Sequence, residues 1–161
     1  MEFEIDEAEN LGVSDSELSE LLTHVYVDGG FAMVNEAKAL FEPSAVRQRG
    51  LLIGARDRKT SVLAGVVILV PPQSTARRLA QGNEVEMHLL GVKSDFRGYG
   101  LGKYLVTETI TRAQKKGYSK MVLLTQESMK PAHLLYESVG FTHTKTLEKN
   151  GRIFLVYDRE L

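Results

Sequence analysis

The stretch VKSDFRGYGLGKYL, residues 92–105, has glycine at three alternate positions, Gly98, Gly100 and Gly102. Arg97 stands directly before the first of them and Lys103 directly after the last. The apolar segment VEMHLLGV precedes the stretch and a helical pattern follows it, so the glycines predict a loop between a strand and a helix. Such a loop can bring backbone amides against an anion at a helix start. The alternative is a steric turn that binds no ligand.

Two common phosphate-binding motifs fail here at definite residues. The dinucleotide fingerprint G-x-G-x-x-G needs glycine where the chain has Lys103, and an acidic residue about 20 positions later, where it has Leu123 and Leu124. The P-loop, G-x-x-x-x-G-K-S/T, needs glycine in place of Arg97 and a hydroxyl residue in place of Tyr104. An oxidoreductase that uses this loop for NAD is therefore disfavoured.

The composition predicts one globular domain over residues 1–161. The net charge of −1, from 20 basic and 21 acidic residues, does not favour nucleic acid or an anionic membrane as a partner. The absence of cysteine excludes disulfides and a thiol nucleophile, and the scattered histidines predict no metal site. The amino terminus, MEFEIDEAEN, lacks signal-peptide features and the longest apolar run, 62–70, is too short to span a bilayer. We therefore expect a cytoplasmic protein.

The amino-terminal half predicts a strand, two helices and a hairpin. Ser14 and Glu17 match a capping box ahead of leucines at helical spacing. A second helical pattern runs over about 35–41 until Pro43 interrupts it, and residues 45–49 are compatible with one more helical turn. LLIGARD and VLAGVVILV are short apolar segments around a polar turn, which is typical of two paired strands.

The carboxy-terminal half predicts a strand–helix–strand unit, a helix and a final hairpin. The strand, helix and strand from Glu86 to Gln126 should form a right-handed parallel crossover, with Gly117 ending the helix. Ser128 is the expected N-cap of the next helix. Asn150-Gly151 within an alternating pattern indicates a tight hairpin. The whole order is that of a mixed α/β domain.

A third loop pattern does fit the chain. Arg97 to Gly102 match R/Q-x-x-G-x-G/A, and AHLLYESVGF, residues 132–141, matches A-x-x-L-Y-E-x-x-G-F. With these motifs and this element order, the sequence resembles the GCN5-related N-acetyltransferase (GNAT) family over most of its length. The resemblance implies a mixed central sheet of about six or seven strands and about four helices, splayed between strands 4 and 5. It also implies acetyl-CoA as acyl donor, coenzyme A as product and an amine as acceptor.

The resemblance also implies which residues hold the donor. The backbone amides of the glycine loop would hold the pyrophosphate, and the end of the fourth strand would pair with the pantetheine arm as an added strand does. The candidate cofactor-binding residues are Leu90, Gly91, Val92, Arg97, Gly98, Tyr99, Gly100, Leu101, Gly102 and Lys103. The family commonly has asparagine where this chain has Met129, so that side-chain contact is not expected here.

Transfer to an amine needs a base, because an amine of pKa near 10.4 is almost wholly protonated at pH 7. Strand alternation predicts one face that carries Glu84, Glu86, His88, Leu90 and Val92. The family often has a glutamate on this strand, so Glu86 is the first candidate base and Glu84 the second, with His88 behind them. The alternative for both glutamates is a carboxylate that faces solvent.

Tyr136 matches the family tyrosine that approaches the sulfur of coenzyme A, so it is the candidate general acid. The alternative is a core aromatic on a short helix. Without cysteine no thiol-linked acyl-enzyme can form, which favours direct transfer in a ternary complex. The acceptor stays open between a small-molecule amine and a peptide or protein amine, and a homodimer is compatible with the family. The rival function is a non-catalytic acyl-CoA-binding module with the same fold.

Overall fold

A computed structural model describes all 161 residues, and its seven strands form one sheet. The strands are β1 (Phe3–Glu7), β2 (Leu51–Asp57), β3 (Leu63–Val70), β4 (Glu84–Val92), β5 (Lys120–Gln126), β6 (Thr142–Lys149) and β7 (Arg152–Glu160). Their spatial order is β1-β2-β3-β4-β5-β7-β6. Neighbouring strands are antiparallel except β4 and β5, which are parallel as predicted.

Five α-helices cover the sheet. They are α1 (Asp15–Leu22), α2 (Val34–Leu40), α3 (Pro43–Gln48), α4 (Leu101–Lys115) and α5 (Lys130–Ser138). A π-helical turn, Thr23–Asp28, continues α1, and a 3-10 turn, Ser94–Phe96, precedes the glycine loop. The mixed α/β architecture is confirmed. The expected four helices become five because Pro43 is the first residue of a separate helix, capped by the carboxylate of Glu42.

The predicted helix ends and turns are confirmed with one exception. Ser14 and Glu17 form the capping box at α1. Asn150 and Gly151 both have positive φ, 52° and 75°, as a tight hairpin requires. The prediction that Ser128 caps α5 is wrong: the N-cap is Met129, and no side chain caps the helix.

The core lies on both faces of the sheet. One cluster packs α4 against β3, β4 and β5, and the other packs α1 and its π-helical extension against β2 and β3. Every residue of β3 is buried, which explains its continuous apolar sequence. None of the helices is both long and apolar enough to cross a lipid bilayer.

Candidate active site

Strands β4 and β5 run side by side only at their beginnings. Their register pairs Glu84 with Lys120 and ends where Met87 pairs with Leu123. Beyond that point β4 continues to Val92 and β5 to Gln126 without pairing to each other. The splay expected between strands 4 and 5 is therefore confirmed, and it opens a gap in the middle of the sheet.

A bulge in β4 changes which side chains face the gap. Leu89 has φ 51°, and the register with β3 shifts at this point. Leu90 and Val92 consequently pack in the same core cluster as Val85 and Met87, the residues that alternate with Glu86. The prediction of one continuous face is wrong: the bulge moves Leu90 and Val92 to the side of the sheet opposite the acidic residues.

The glycines of the loop serve two different purposes. Gly98 and Gly100 have φ of 85° and 77°, in the left-handed region that a glycine adopts without strain. Gly102 lies where a Cβ would come within 3.2 Å of Leu135 Cδ2, so its small size lets α4 approach α5. The loop is thus both a turn with special backbone geometry and a close packing contact.

The start of α4 exposes backbone donors. The first hydrogen bond of the helix runs from Tyr104 N to Gly100 O, and no side chain caps the terminus. The amides of residues 101–103 therefore have no partner within the helix. Arg97 has fewer unpaired donors, because its amide donates to Ser94 O at 3.2 Å and its Nε donates to Val92 O at 3.1 Å.

A cavity of about 440 Å³, here called the loop cavity, lies beside these amides. Nine of the ten predicted cofactor-binding residues line it; the tenth, Tyr99, is exposed and lines a separate surface depression. Another part of the wall comes from α5 and its N-cap and includes Leu135 and Met129. Where the family often has an amide side chain, Met129 thus supplies an apolar surface.

A second cavity of about 370 Å³, here called the tyrosine cavity, adjoins the first one at Leu90 and Met129. Tyr136 lines it from α5, and the Tyr136 ring packs edge-on against Phe141 with 5.9 Å between centroids. Burial, and to a smaller extent the neighbouring Tyr26, raise the pKa of the Tyr136 phenol above its usual range. Tyr136 is therefore both a core aromatic and a protonated phenol at the cavity wall.

Glu86 is buried in the tyrosine cavity and fully hydrogen-bonded. Its Oε2 accepts the amides of Arg78, Leu79 and Ala80, and its Oε1 lies 2.8 Å from His88 Nε2. Burial alone would raise the pKa of this carboxyl, but these hydrogen bonds outweigh burial and lower the pKa to about 2. Glu86 therefore anchors the connection between β3 and β4 and orients His88.

Glu84 occupies a different place. Its Oε1 accepts the amide of Gln81 at 3.1 Å, and it lines neither of the two cavities. The structure therefore separates the two glutamates that strand alternation had grouped together.

His88 bridges Glu86 and Arg49. Arg49 Nη1 lies 3.3 Å from His88 Nδ1, and a guanidinium can only donate, so Nδ1 is the acceptor and Nε2 carries the hydrogen that Glu86 accepts. The imidazole is thereby held in one tautomer with its Nδ1 lone pair in the cavity. Because the contact with Arg49 is long, this lone pair is only weakly engaged.

Three further residues line the tyrosine cavity. From the sequence, Tyr26 and the connection 72–84, which contains Arg78, were candidates for an acceptor pocket, whereas Arg49 was missed. Tyr26 donates its hydroxyl to Leu90 O at 2.9 Å, and Arg49 and Arg78 contribute guanidinium groups to the wall. Tyr26 lies in the π-helical turn, Arg49 follows α3 and Arg78 lies in an irregular connection. None of them belongs to a motif, so only the charge of RQRG and ARR could have marked the arginines.

A model of the acetyltransferase (GNAT) family matches residues 17–141, more than three quarters of the 161. The chain belongs to the GNAT family. This stretch contains most of α1, the bulged strand, the glycine loop and Tyr136. The resemblance drawn from the two motifs is therefore confirmed.

Two proteins named as acetyltransferases or synthetases are similar in sequence to part of this chain. An uncharacterized N-acetyltransferase of Schizosaccharomyces pombe is 43% identical over 110 residues, which are 68% of this chain and 63% of that protein. N-acetylaspartate synthetase of Xenopus tropicalis is 36% identical over 88 residues, 55% of this chain and 31% of that protein. The matched stretch spans less than two thirds of the length of either relative.

Solved GNAT structures share the fold over the whole chain. An acetyltransferase of the GNAT family from Staphylococcus aureus Mu50 superposes with a TM-score of 0.77 at 16% identity and 99% coverage of both chains. An acetyltransferase of Bacillus subtilis in complex with CoA superposes with a TM-score of 0.69 at 23% identity, again with 99% coverage of both. At these identities the likeness concerns the fold alone.

Proposed function

We propose that this protein is an N-acetyltransferase that moves an acetyl group from acetyl-CoA to a primary amine by direct attack in a ternary complex. The observation that carries the proposal is the meeting of two cavities at Leu90 and Met129, where β4 and β5 separate. One cavity offers free backbone amides for an anion, and the other offers a phenol and an imidazole. A donor and an acceptor can thus meet through the sheet.

The loop cavity fits a coenzyme with an anionic diphosphate and an apolar arm. The unpaired amides at 101–103 and the positive end of the α4 dipole suit the diphosphate. The strand end at Leu90–Val92 and the apolar wall at Met129 and Leu135 suit the pantetheine arm. Acetyl-CoA supplies the activated thioester carbonyl. In the reaction the amine nitrogen forms a bond to this carbonyl carbon while the carbon–sulfur bond breaks.

Tyr136 is the proposed donor to the departing sulfur. Tyr26 and Tyr157 donate their hydroxyls to protein acceptors, whereas the Tyr136 hydroxyl has no protein acceptor. The Tyr136 oxygen is not fully buried, because no fully buried side-chain oxygen or nitrogen lacks a hydrogen-bond partner. Its raised pKa keeps the phenol protonated across the physiological range. A raised pKa also makes the phenol a weaker acid, so we propose that Tyr136 stabilises the thiolate by a hydrogen bond rather than by early proton transfer.

His88 is the proposed proton acceptor, and Glu86 is the positioning residue behind it. A carboxylate of pKa about 2 is a poor base for an ammonium of pKa near 10.4, since direct transfer would be uphill by about 11 kcal/mol. The Nδ1 lone pair of His88 receives only one long contact from the protein, and Glu86 would stabilise the imidazolium that forms, as in other carboxylate–histidine pairs. The predicted base Glu86 thus acts through His88, and Glu84 takes no part.

The proposed function is tested by the release of free thiol from acetyl-CoA in the presence of a panel of amines. We expect turnover with at least one amine, and a fall in kcat of about 100-fold in Tyr136→Phe with little change in the KM for acetyl-CoA. Tyr118→Phe, between α4 and β5 and outside both cavities, is the matched control and should behave as wild type. Tight CoA binding without turnover on any amine would instead support a non-catalytic acyl-CoA-binding module.

The role of His88 needs a readout that a purely structural residue would not change. His88→Gln should lower kcat/KM by about 100-fold and remove the acidic limb of its pH profile, because the proposed proton acceptor is gone. Glu86→Gln should lower kcat/KM but keep the acidic limb, since the imidazole remains. A pH profile that is identical in wild type and His88→Gln would refute the assignment.

A further inference from the structure

The tyrosine cavity is lined by cations that have no acidic partner. Arg49, Arg78 and Lys149 all line it, and none of the three lies within 4.0 Å of a carboxylate. Two half-buried arginines elsewhere do have acidic partners, since Arg56 pairs with Glu17 and Arg112 with three carboxylates. Two others, Arg77 and Arg159, also lack a carboxylate but donate to backbone carbonyls instead. The cavity thus concentrates positive charge that the fold itself leaves uncompensated.

Arg49 is the cation whose environment most calls for an anion. Burial, and secondarily the positive charge of Arg78 nearby, lower the pKa of its guanidinium. Two of its five N–H groups are used, one towards His88 Nδ1 at 3.3 Å and one towards Leu40 O at 3.2 Å. Three N–H donors have no protein acceptor. A bound anion would supply acceptors for them and would also relieve the repulsion between the two arginines.

The one carboxylate of the cavity cannot serve as that anion. Both oxygens of Glu86 are occupied, Oε2 by three backbone amides and Oε1 by His88. The cavity therefore presents three cationic side chains against a carboxylate that is already satisfied. An acceptor with a second cationic group would meet repulsion here and would find no free counter-ion.

We propose that the acceptor is a small amine that also carries carboxylate, and that Arg49 and Arg78 bind this carboxylate. The planar fork of a guanidinium matches a carboxylate with two parallel hydrogen bonds. The volume of about 370 Å³ suits a molecule of amino-acid size. This inference rests on the proposed N-acetyltransferase function and adds the substrate class. The cavity has three cationic side chains and one carboxylate, which leaves two positive charges without a counter-ion. A dicarboxylic amino acid therefore fits the cavity best.

The proposal also links binding to chemistry. When Arg49 turns its donors to the acceptor carboxylate, its long contact with His88 Nδ1 is the bond most easily given up. The Nδ1 lone pair then becomes available to the amine of the same molecule. An amine without a carboxylate would leave Arg49 against His88 and would be a poorer substrate for this reason as well.

The experiment compares acceptors that differ mainly in charge, in the thiol-release assay with saturating acetyl-CoA. The probes are free aspartate, the diamide of aspartate, which lacks both carboxylates, 1,4-diaminobutane and a peptide with aspartate at its amino terminus. We expect kcat/KM for aspartate to exceed that for the diamide and for the diamine at least 10-fold. Equal or higher values for the diamide or diamine would overturn the proposal, and faster acetylation of the peptide would overturn its small-molecule part.

Variants locate the effect at the two arginines. Arg49→Gln should raise the KM for aspartate about 30-fold, a size typical of a lost charged hydrogen bond, and should leave the KM for acetyl-CoA unchanged. Arg78→Gln, in an exposed position, should act in the same direction without affecting folding. Lys115→Gln, at the exposed far end of α4, removes one charge and is the matched control. An unchanged preference for aspartate in both arginine variants would refute their role.

The outcomes separate this inference from the function on which it rests. If no amine in any charge class is acetylated, the proposed N-acetyltransferase function fails. If uncharged or cationic amines are acetylated efficiently, the function holds and the carboxylate inference alone fails. CoA binding measured by calorimetry on the Arg49→Gln protein shows whether that variant is folded.

Discussion

Replacing Glu86 by glutamine should destabilise the fold by an amount that depends on pH. The carboxylate accepts four hydrogen bonds, and glutamine can accept those of the three amides only by turning its own N–H₂ towards His88. That nitrogen would then face the hydrogen on Nε2. Moving this hydrogen to Nδ1 would set it against Arg49 Nη1, which also only donates. Relieving this conflict would cost the contact between Arg49 and His88.

The magnitude follows from the pKa of Glu86. Its fall from the ordinary 4.5 to about 2 corresponds to about 3 kcal/mol of stability at pH 7. Because the folded-state pKa is the lower one, this stability is present above pH 4.5 and is lost as the pH falls towards 2. The difference in free energy of unfolding between wild type and Glu86→Gln should therefore be smaller than at pH 7 by about 0.8 kcal/mol at pH 4 and by about 2 kcal/mol at pH 3.

Urea unfolding followed by circular dichroism at pH 7, 5, 4 and 3 measures this difference. In thermal unfolding at neutral pH, the melting temperature of Glu86→Gln should be about 6–12 °C below that of the wild type, for a chain of this size. Glu84→Gln is the matched control, since Glu84 accepts a single amide and should lose about 1 kcal/mol or less. A difference for Glu86→Gln that is below about 0.5 kcal/mol, or that does not change with pH, would refute the reasoning.

Two further substitutions test the loop and the bulge. Gly98→Ala places a side chain at φ 85°, so it should cost about 1–2 kcal/mol of stability and weaken CoA binding in calorimetry. Gly117→Ala, at φ 80° outside the site, should carry a similar strain with unchanged CoA affinity, and equal losses of affinity would contradict the loop's role. Tyr26→Phe removes the donor to Leu90 O and should lower stability by about 1 kcal/mol in urea unfolding; an unchanged midpoint would show that this bond contributes nothing.

Several features of this protein could be determined from the sequence by itself, because short-range patterns set them. The Ser14–Glu17 capping box, the Asn150-Gly151 turn and the glycine loop each depend on residues a few positions apart. The family motifs at Arg97–Gly102 and Ala132–Phe141 also allowed the mixed sheet and the splay between β4 and β5 to be predicted, through the resemblance to the family. Most of the fold was therefore predicted, and nine of the ten residues proposed to bind the cofactor line the loop cavity.

Only the tertiary structure decided the chemistry of the tyrosine cavity. Strand alternation cannot anticipate a bulge at Leu89, since the register shift comes from pairing with β3. It also cannot show that Glu86 is occupied by amides from an irregular connection, or that Arg49 reaches His88 from 39 positions away in sequence. Charge and pKa depend on distances through space, which residues far apart in the chain acquire only when the core has packed.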